Sequence, residues 1–156
     1  MKRKIIAAFV VIAGAATFFS CTKKKDSSST PAFVMTATIN GSAFNGDSCL
    51  FSPYTQDSSY YINAGGGYAG KPDIDLYLFK YRGVGTYNLY TSNSVPSFSG
   101  DYSDGSALYT NFSSGSVTII SASSTVVTGT FSFTANLYGG TGSVTVTNGS
   151  FTAQVQ

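Results

Sequence analysis

The chain contains no His and no Glu, so its chemistry falls to seven Asp, to Tyr, Lys and Ser, and to two Cys. Without imidazole there is no Ser-His-Asp constellation, no histidine-bound metal and no His general base. Carboxylate chemistry remains. Asp73 and Asp75 stand two apart, which on a strand puts both on one face with their Cα atoms roughly 6.5–7 Å apart. Glycosidases work with two carboxyl groups about 5–10 Å apart. Paired polar residues are nevertheless common at strand starts, and Asp is also a turn former. An Asp-based hydrolase is therefore the lesser expectation, and no catalytic residue is assigned. The same pair, or Asp101 with Asp104 in Gly100-Asp101-Tyr102-Ser103-Asp104-Gly105, offers oxygens to Ca²⁺. That ion takes about six to eight of them, and the spacing is not that of an EF-hand loop. Asp101 and Asp104 are thus weak calcium candidates beside a surface turn, and no cofactor is expected.

A binding role has more support. From Asp73 to Tyr81, Ile74, Leu76 and Leu78 share one face of a strand, while Asp73, Asp75, Tyr77, Phe79 and Tyr81 share the other. Aromatic rings flanked by hydrogen-bonding groups suit sugar rings, which makes Asp73, Asp75, Tyr77 and Tyr81 candidate ligand-binding residues. Tyr60, Tyr61, Tyr87 and Tyr90 would extend that surface. The competing reading is that these rings pack on neighbouring strands, since cross-strand aromatic pairs stabilise sheets by about 0.2–1 kcal/mol each.

Location is legible at the N-terminus. Met1-Lys2-Arg3-Lys4 is basic, the fifteen residues from Ile5 to Phe19 are almost wholly apolar, and Ser20-Cys21 sets a small residue before a cysteine. A membrane span needs about 20 apolar residues, so this run reads instead as a signal peptide, residues 1–20, ending in a lipobox. Phe18 stands where a lipobox normally carries Leu. Cleavage would leave Cys21 as the first residue, lipidated and holding the chain on a membrane, most simply the outer membrane on its periplasmic or surface side. Residues 21–32 then form a polar tether, TKKKDSSSTPA after the cysteine, too poor in apolar residues to order itself. Lys23, Lys24 and Lys25 would lie beside the headgroups.

Removing residues 1–20 leaves six basic residues against seven Asp, and from Phe33 onward only Lys71, Lys80 and Arg82 face six Asp. The net charge of +2 over the whole chain therefore belongs to the export signal and tether. A nucleic-acid partner would call for a basic patch on the folded part, and none is expected.

The 124 residues from 33 to 156 suffice for one domain. Strong helix formers are scarce there, while Thr, Val, Tyr and Phe recur in short alternating runs between Gly, Asn and Asp. The expected fold is all-β, an antiparallel two-layer β-sandwich of about 8–10 strands, with a closed lipocalin-like barrel as the alternative. Asn40-Gly41 predicts a two-residue type I′ hairpin between Phe33–Ile39 and Ser42–Phe44. Further strands are expected over Cys49–Phe51, Ser59–Ala64, Asp73–Tyr81, Thr86–Tyr90, Ala107–Phe112, Ser116–Ala122, Val126–Leu137 and Ser143–Val155. Gly65-Gly66-Gly67 and Ser99-Gly100-Asp101 read as turns. In the last strand the apolar phase slips from even to odd positions near Asn148-Gly149, which calls for a β-bulge or a second Asn-Gly hairpin. Cys49 has no second mature thiol to pair with and is expected to be a buried free cysteine.

The lipobox, the short tether, the opening strand Ala37-Thr38-Ile39-Asn40-Gly41, and the closing Gly129-Thr130-Phe131-Ser132-Phe133-Thr134-Ala135 and Val146-Thr147-Asn148-Gly149-Ser150-Phe151 resemble the small Bacteroidota cell-envelope lipoproteins of unknown function. That family often carries a Trp after the opening turn, near where Phe44 stands. The resemblance implies a cell-envelope β-domain and supplies no activity. The expected role is a non-catalytic structural or protein-interaction domain of the envelope, with a binding module for glycan or a small apolar ligand as the alternative. Labelling with palmitate is expected to mark the wild-type chain and to vanish in Cys21→Ala; label that persists in the variant refutes the lipobox reading.

Overall fold

The computed structural model describes residues 32–54, 58–65, 70–90 and 95–156. The signal segment, Cys21, Lys23–Lys25 and the Gly66-Gly67 part of one expected turn lie outside the described residues. Among the described residues there are ten strands and no helix. They are β1 (Val34–Ile39), β2 (Ser42–Asp47), β3 (Leu50–Tyr54), β4 (Ser59–Gly65), β5 (Asp73–Phe79), β6 (Gly85–Leu89), β7 (Ser97–Ser103), β8 (Leu108–Ala122), β9 (Val126–Leu137) and β10 (Ser143–Val155). The all-β class and the strand number match the expectation.

All ten belong to one sheet in the order β2-β1-β10-β3-β4-β5-β7-β6-β8-β9, with β10 also paired to β9 and β7 to β8. Hydrogen-bonded neighbours therefore lead from β10 through β3, β4, β5, β7, β8 and β9 back to β10. The sheet curls so that its inner faces share one core. Two pairings are parallel and only two residues long, β10 with β3 and β6 with β7, so the sheet is mixed where an antiparallel one was expected. A lipocalin-like barrel would join sequential neighbours in one meander, and this strand order crosses over at β10 and β6 instead.

The local causes are visible in the backbone. Asn40 and Gly41 have φ of 46° and 85°, the two positive angles of a type I′ turn, and they set β1 against β2 in unbroken register from Val34↔Asp47 to Ile39↔Ser42. At Asn148, with φ of 52°, the β10–β9 register jumps between Val146 and Gly149. This is the bulge alternative for the phase slip, and it returns Phe151 and Ala153 to the buried face alongside Val144 and Val146. The two strands expected over 107–112 and 116–122 are one strand, β8. It is bulged between Tyr109 and Asn111, Phe112 and Ser114, and Ile119 and Ser121, so it bends without ending.

β7 runs through residues expected to turn. Ser99-Gly100-Asp101 is no turn but the middle of a strand whose Phe98, Gly100 and Tyr102 face inward. Gly100 is required there by proximity rather than by flexibility, for a Cβ at this position would lie 2.1 Å from the carbonyl oxygen of Asp75 on β5.

The core joins 24 buried residues drawn from every strand, among them Met35, Ile62, Leu76, Phe98, Val117, Phe133 and Val146. β9 shows the alternation plainly. Phe131, Phe133 and Ala135 are buried, whereas Thr130, Ser132 and Asn136 are exposed. Cys49, between β2 and β3, is fully buried, and its thiol is pushed up to about 12 by that burial. Its backbone N–H donates to the Phe33 carbonyl (3.0 Å) and its carbonyl accepts from Gln154 N–H (2.9 Å), tying β1, β3 and β10 together at one point. Gly100→Ala is expected to lower the unfolding free energy by about 1–3 kcal/mol through overpacking, read as a lower denaturant midpoint with an unchanged slope.

Candidate functional site

Strands β4, β5 and β7 present two unlike faces. Inward they bury Ile62 and Ala64, Ile74, Leu76 and Leu78, and Phe98 and Tyr102. Outward, the register lines up Asn63, Asp75 and Asp101 in one row across the three strands, with Tyr61, Tyr77 and Ser99 in the next row. A third row holds Gly65, Asp73 and Ser103. Tyr54, at the end of β3, meets Tyr77 edge-on with ring centroids 6.0 Å apart. Tyr90 packs on Phe79 at 5.1 Å. Tyr54 is 53% exposed, while Tyr61, Asn63, Asp75, Tyr77 and Asp101 are half-buried.

The electrostatics of this face follow from three carboxylates packed side by side. Asp75 accepts a hydrogen bond from the Asn63 side-chain amide. Its carboxyl is still raised, mainly by burial, with the Asn63 bond opposing and the Asp73 charge adding. Asp101 is pushed up to about 6 by burial and by the charges of Asp75 and Asp73. Tyr77 is pushed up to about 12 by burial, then by Asp101, Asp75, Tyr54 and Tyr61. It therefore stays a hydroxyl that can donate. Asp73 is raised by burial. Burial first, and then like charges facing each other across the ladder, keep the Asp101 proton above the ordinary carboxylate range.

Of the four candidate ligand residues, Asp73, Asp75 and Tyr77 share this face and Tyr81 does not. β5 ends at Phe79, and Lys80 has φ of 50°, which breaks the alternation. Tyr81 swings to the core side, where its ring lies 5.1 Å from Phe51, 5.0 Å from Tyr60 and 5.9 Å from Tyr87. Its hydroxyl is buried with no hydrogen-bond partner among the described residues. Tyr60 and Tyr87 belong to this inner cluster too, so only Tyr61 and Tyr90 extend the outer surface.

The two calcium candidates are separated by function. Asp101 joins the row on β7, whereas Asp104 lies past the strand end and its carboxylate accepts the backbone N–H groups of Ser106 (2.8 Å) and Ala107 (2.7 Å). Those bonds hold its carboxyl below the ordinary range. It closes a turn. Among the described residues, no group of three or more Asp, Glu, His or Cys is placed to hold a metal ion.

Sequence reasoning missed the Asp75–Asp101 neighbourhood, because the pairing depends on β7 existing at all. It also missed a second outer feature, an open groove of about 530 Å³ over β8, β9 and β10, lined among others by Thr118, Thr130, Ser132, Asn148 and Ser150. The phase slip at Asn148-Gly149 was its one sequence signal. Neighbouring hydroxyls continue the polar row, Thr86 to Thr118 at 3.0 Å and Thr36 to Ser150 at 2.9 Å.

A family model described as a domain of unknown function, DUF6252, matches residues 29–154. Neither the curated proteins nor the solved structures contain a match.

The raised Asp101 has a pH consequence with a definite sign. Its folded pKa of about 6 exceeds the ordinary 3.8, so the unfolded chain loses this proton first and stability falls as pH rises through that window. Asp101→Asn is expected to add about 1 kcal/mol at about pH 7.5, a figure already reduced for partial solvent screening. The gain should vanish near pH 4, and thermal melts at the two pH values check it.

Proposed function

Because the chain belongs to the DUF6252 family of domains of unknown function, we propose that it is a lipid-anchored, non-catalytic binding module of the cell envelope that holds a glycan on the outer face of β4, β5 and β7. The observation that carries this reading is the meeting of Tyr54, Tyr61 and Tyr77 with the row Asn63-Asp75-Asp101 on one surface. Tyrosine rings offer flat apolar area to the C–H face of a sugar, and the Tyr77 hydroxyl, raised by burial, stays protonated. Carboxylate and amide oxygens beside them accept from sugar hydroxyls, and the Asn63 amide donates.

The absence of His and Glu supports a non-catalytic role, as does the engagement of Asp75 by Asn63. The membrane anchor at Cys21 and the outer-membrane location rest on the signal segment and lipobox in the sequence. A second reading, a structural or protein-interaction domain, draws on β2, which pairs only with β1 and so leaves its other edge open among the described ladders. Such an edge can take up a strand from a partner.

A thermal-shift screen of the mature chain with envelope and dietary glycans, fatty acids and calcium separates these readings. A glycan at about 100 times its dissociation constant should add about 2.7 kcal/mol of stability. Tyr77→Ala should weaken its binding about tenfold, the loss of an aromatic contact worth about 1.4 kcal/mol. A screen without any glycan response rejects the glycan reading in favour of the interaction domain.

A further inference from the structure

The strands lend the domain two unlike ends. At one end lie the start of β1, the end of β10, the start of β9, the end of β8 and the start of β6, as Val34↔Thr152, Gln154↔Val126, Ala122↔Val127 and Gly85↔Ile119 require. The loop joining β5 to β6, residues 80–84, belongs to this end. It carries Lys80 and Arg82, two of the three basic residues found from Phe33 onward. Val84 is 65% exposed, and Ile120, which follows the Gly85 partner Ile119, is 58% exposed. Asp73, Asp75, Asp101 and Asp104 all lie toward the opposite end, where β5 begins and β7 finishes. Asp47 is the one described carboxylate side chain at the basic end, and it sits on β2, across β1 from β10.

Single exposed aliphatics are ordinary, but these are held out in a fixed place. Buried Tyr87 donates its hydroxyl to the Gly83 carbonyl (2.9 Å) and accepts the Arg82 N–H (2.9 Å), so the loop is pinned to the core with Val84 facing solvent. Ile120 protrudes because β8 is bulged between Ile119 and Ser121. The chain also enters the domain at this end, through Ala32 and Phe33 into β1.

We propose that the Lys80–Val84 loop together with Ile120 is a membrane-docking face, which seats the domain on the anionic leaflet holding the lipid at Cys21. This rests on the lipid-anchor reading above. Residues 22–32 can span at most about 40 Å, which keeps this end near the bilayer at an effective concentration in the millimolar range. Under that condition a small patch suffices, with two aliphatic side chains entering the interface and two cations meeting anionic headgroups. The acidic, tyrosine-bearing face is then turned away from the like-charged membrane.

The chain has no Trp, so a single introduced Trp reports its own surroundings. The full lipidated protein would be reconstituted in phosphatidylglycerol-containing vesicles with brominated acyl chains, as Val84→Trp, as Ile120→Trp, and as Tyr138→Trp, the last at the opposite end on a residue 69% exposed. The expected result is a blue shift and loss of emission for Val84→Trp and Ile120→Trp, with Tyr138→Trp unaffected. Adding Arg82→Gln, or raising the salt concentration, should restore part of the lost emission. Unquenched Trp at 84 and 120 in vesicle-bound protein, or equal quenching at all three positions, overturns the docking face and leaves the anchor standing. If the wild-type protein fails to float with vesicles, the anchor reading falls and the docking proposal falls with it.

Discussion

One strand, paired with three others, closes the circuit of hydrogen-bonded ladders. β10 runs its whole length beside β9, and along its other edge it serves β1 first and β3 afterward. A strand of thirteen residues in a curled sheet keeps one face on the core only if its twist is reset part-way, and the bulge at Asn148-Gly149 does this. It shifts the inward set from Val144 and Val146 to Phe151 and Ala153 and lets the Phe151 ring approach Phe131 and lie over Gly129. A side chain at 129 would collide with that ring and with the Thr118 carbonyl. Small residues at crossings and aromatics between them are therefore two halves of one packing solution.

The same constraint creates the outward surfaces. When alternate residues of β4, β5 and β7 are committed to the core, the remaining ones are forced into rows. Those rows contain three Asp, one Asn and two Tyr, with no basic side chain in register with them. Desolvated carboxylates placed side by side raise one another, and the domain carries that strain on one flank. Lys80 and Arg82 fall beyond the end of β5, and Lys71 just before its start, so no basic residue stands in these rows. Charge segregation along the domain is thus a product of strand order.

Local patterns were legible, and distant pairings were not. The Asn40-Gly41 hairpin, the two-faced β9 and the bulge in β10 depend on neighbouring residues, so periodicity and turn chemistry reveal them. β7 was hidden because Ser, Gly and Asp are turn formers by local preference, whereas the reason for Gly100 is the Asp75 carbonyl on another strand. Tyr81 was assigned to the wrong face because strict alternation was carried through Lys80, whose left-handed backbone ends it. Asp75 and Asp101 are 26 positions apart, and only the β5–β7 register makes them neighbours.

The buried Cys49 has a consequence for how the protein meets oxidants. Its sulfur is screened from solvent and holds its proton at any physiological pH, so the closed domain offers no thiolate to small disulfides or to other chains. Capture becomes feasible only after β1, β3 and β10 part at the junction where this residue sits. A mixed disulfide at that position would therefore be a record of past breathing, and it would hold open the molecule that had opened.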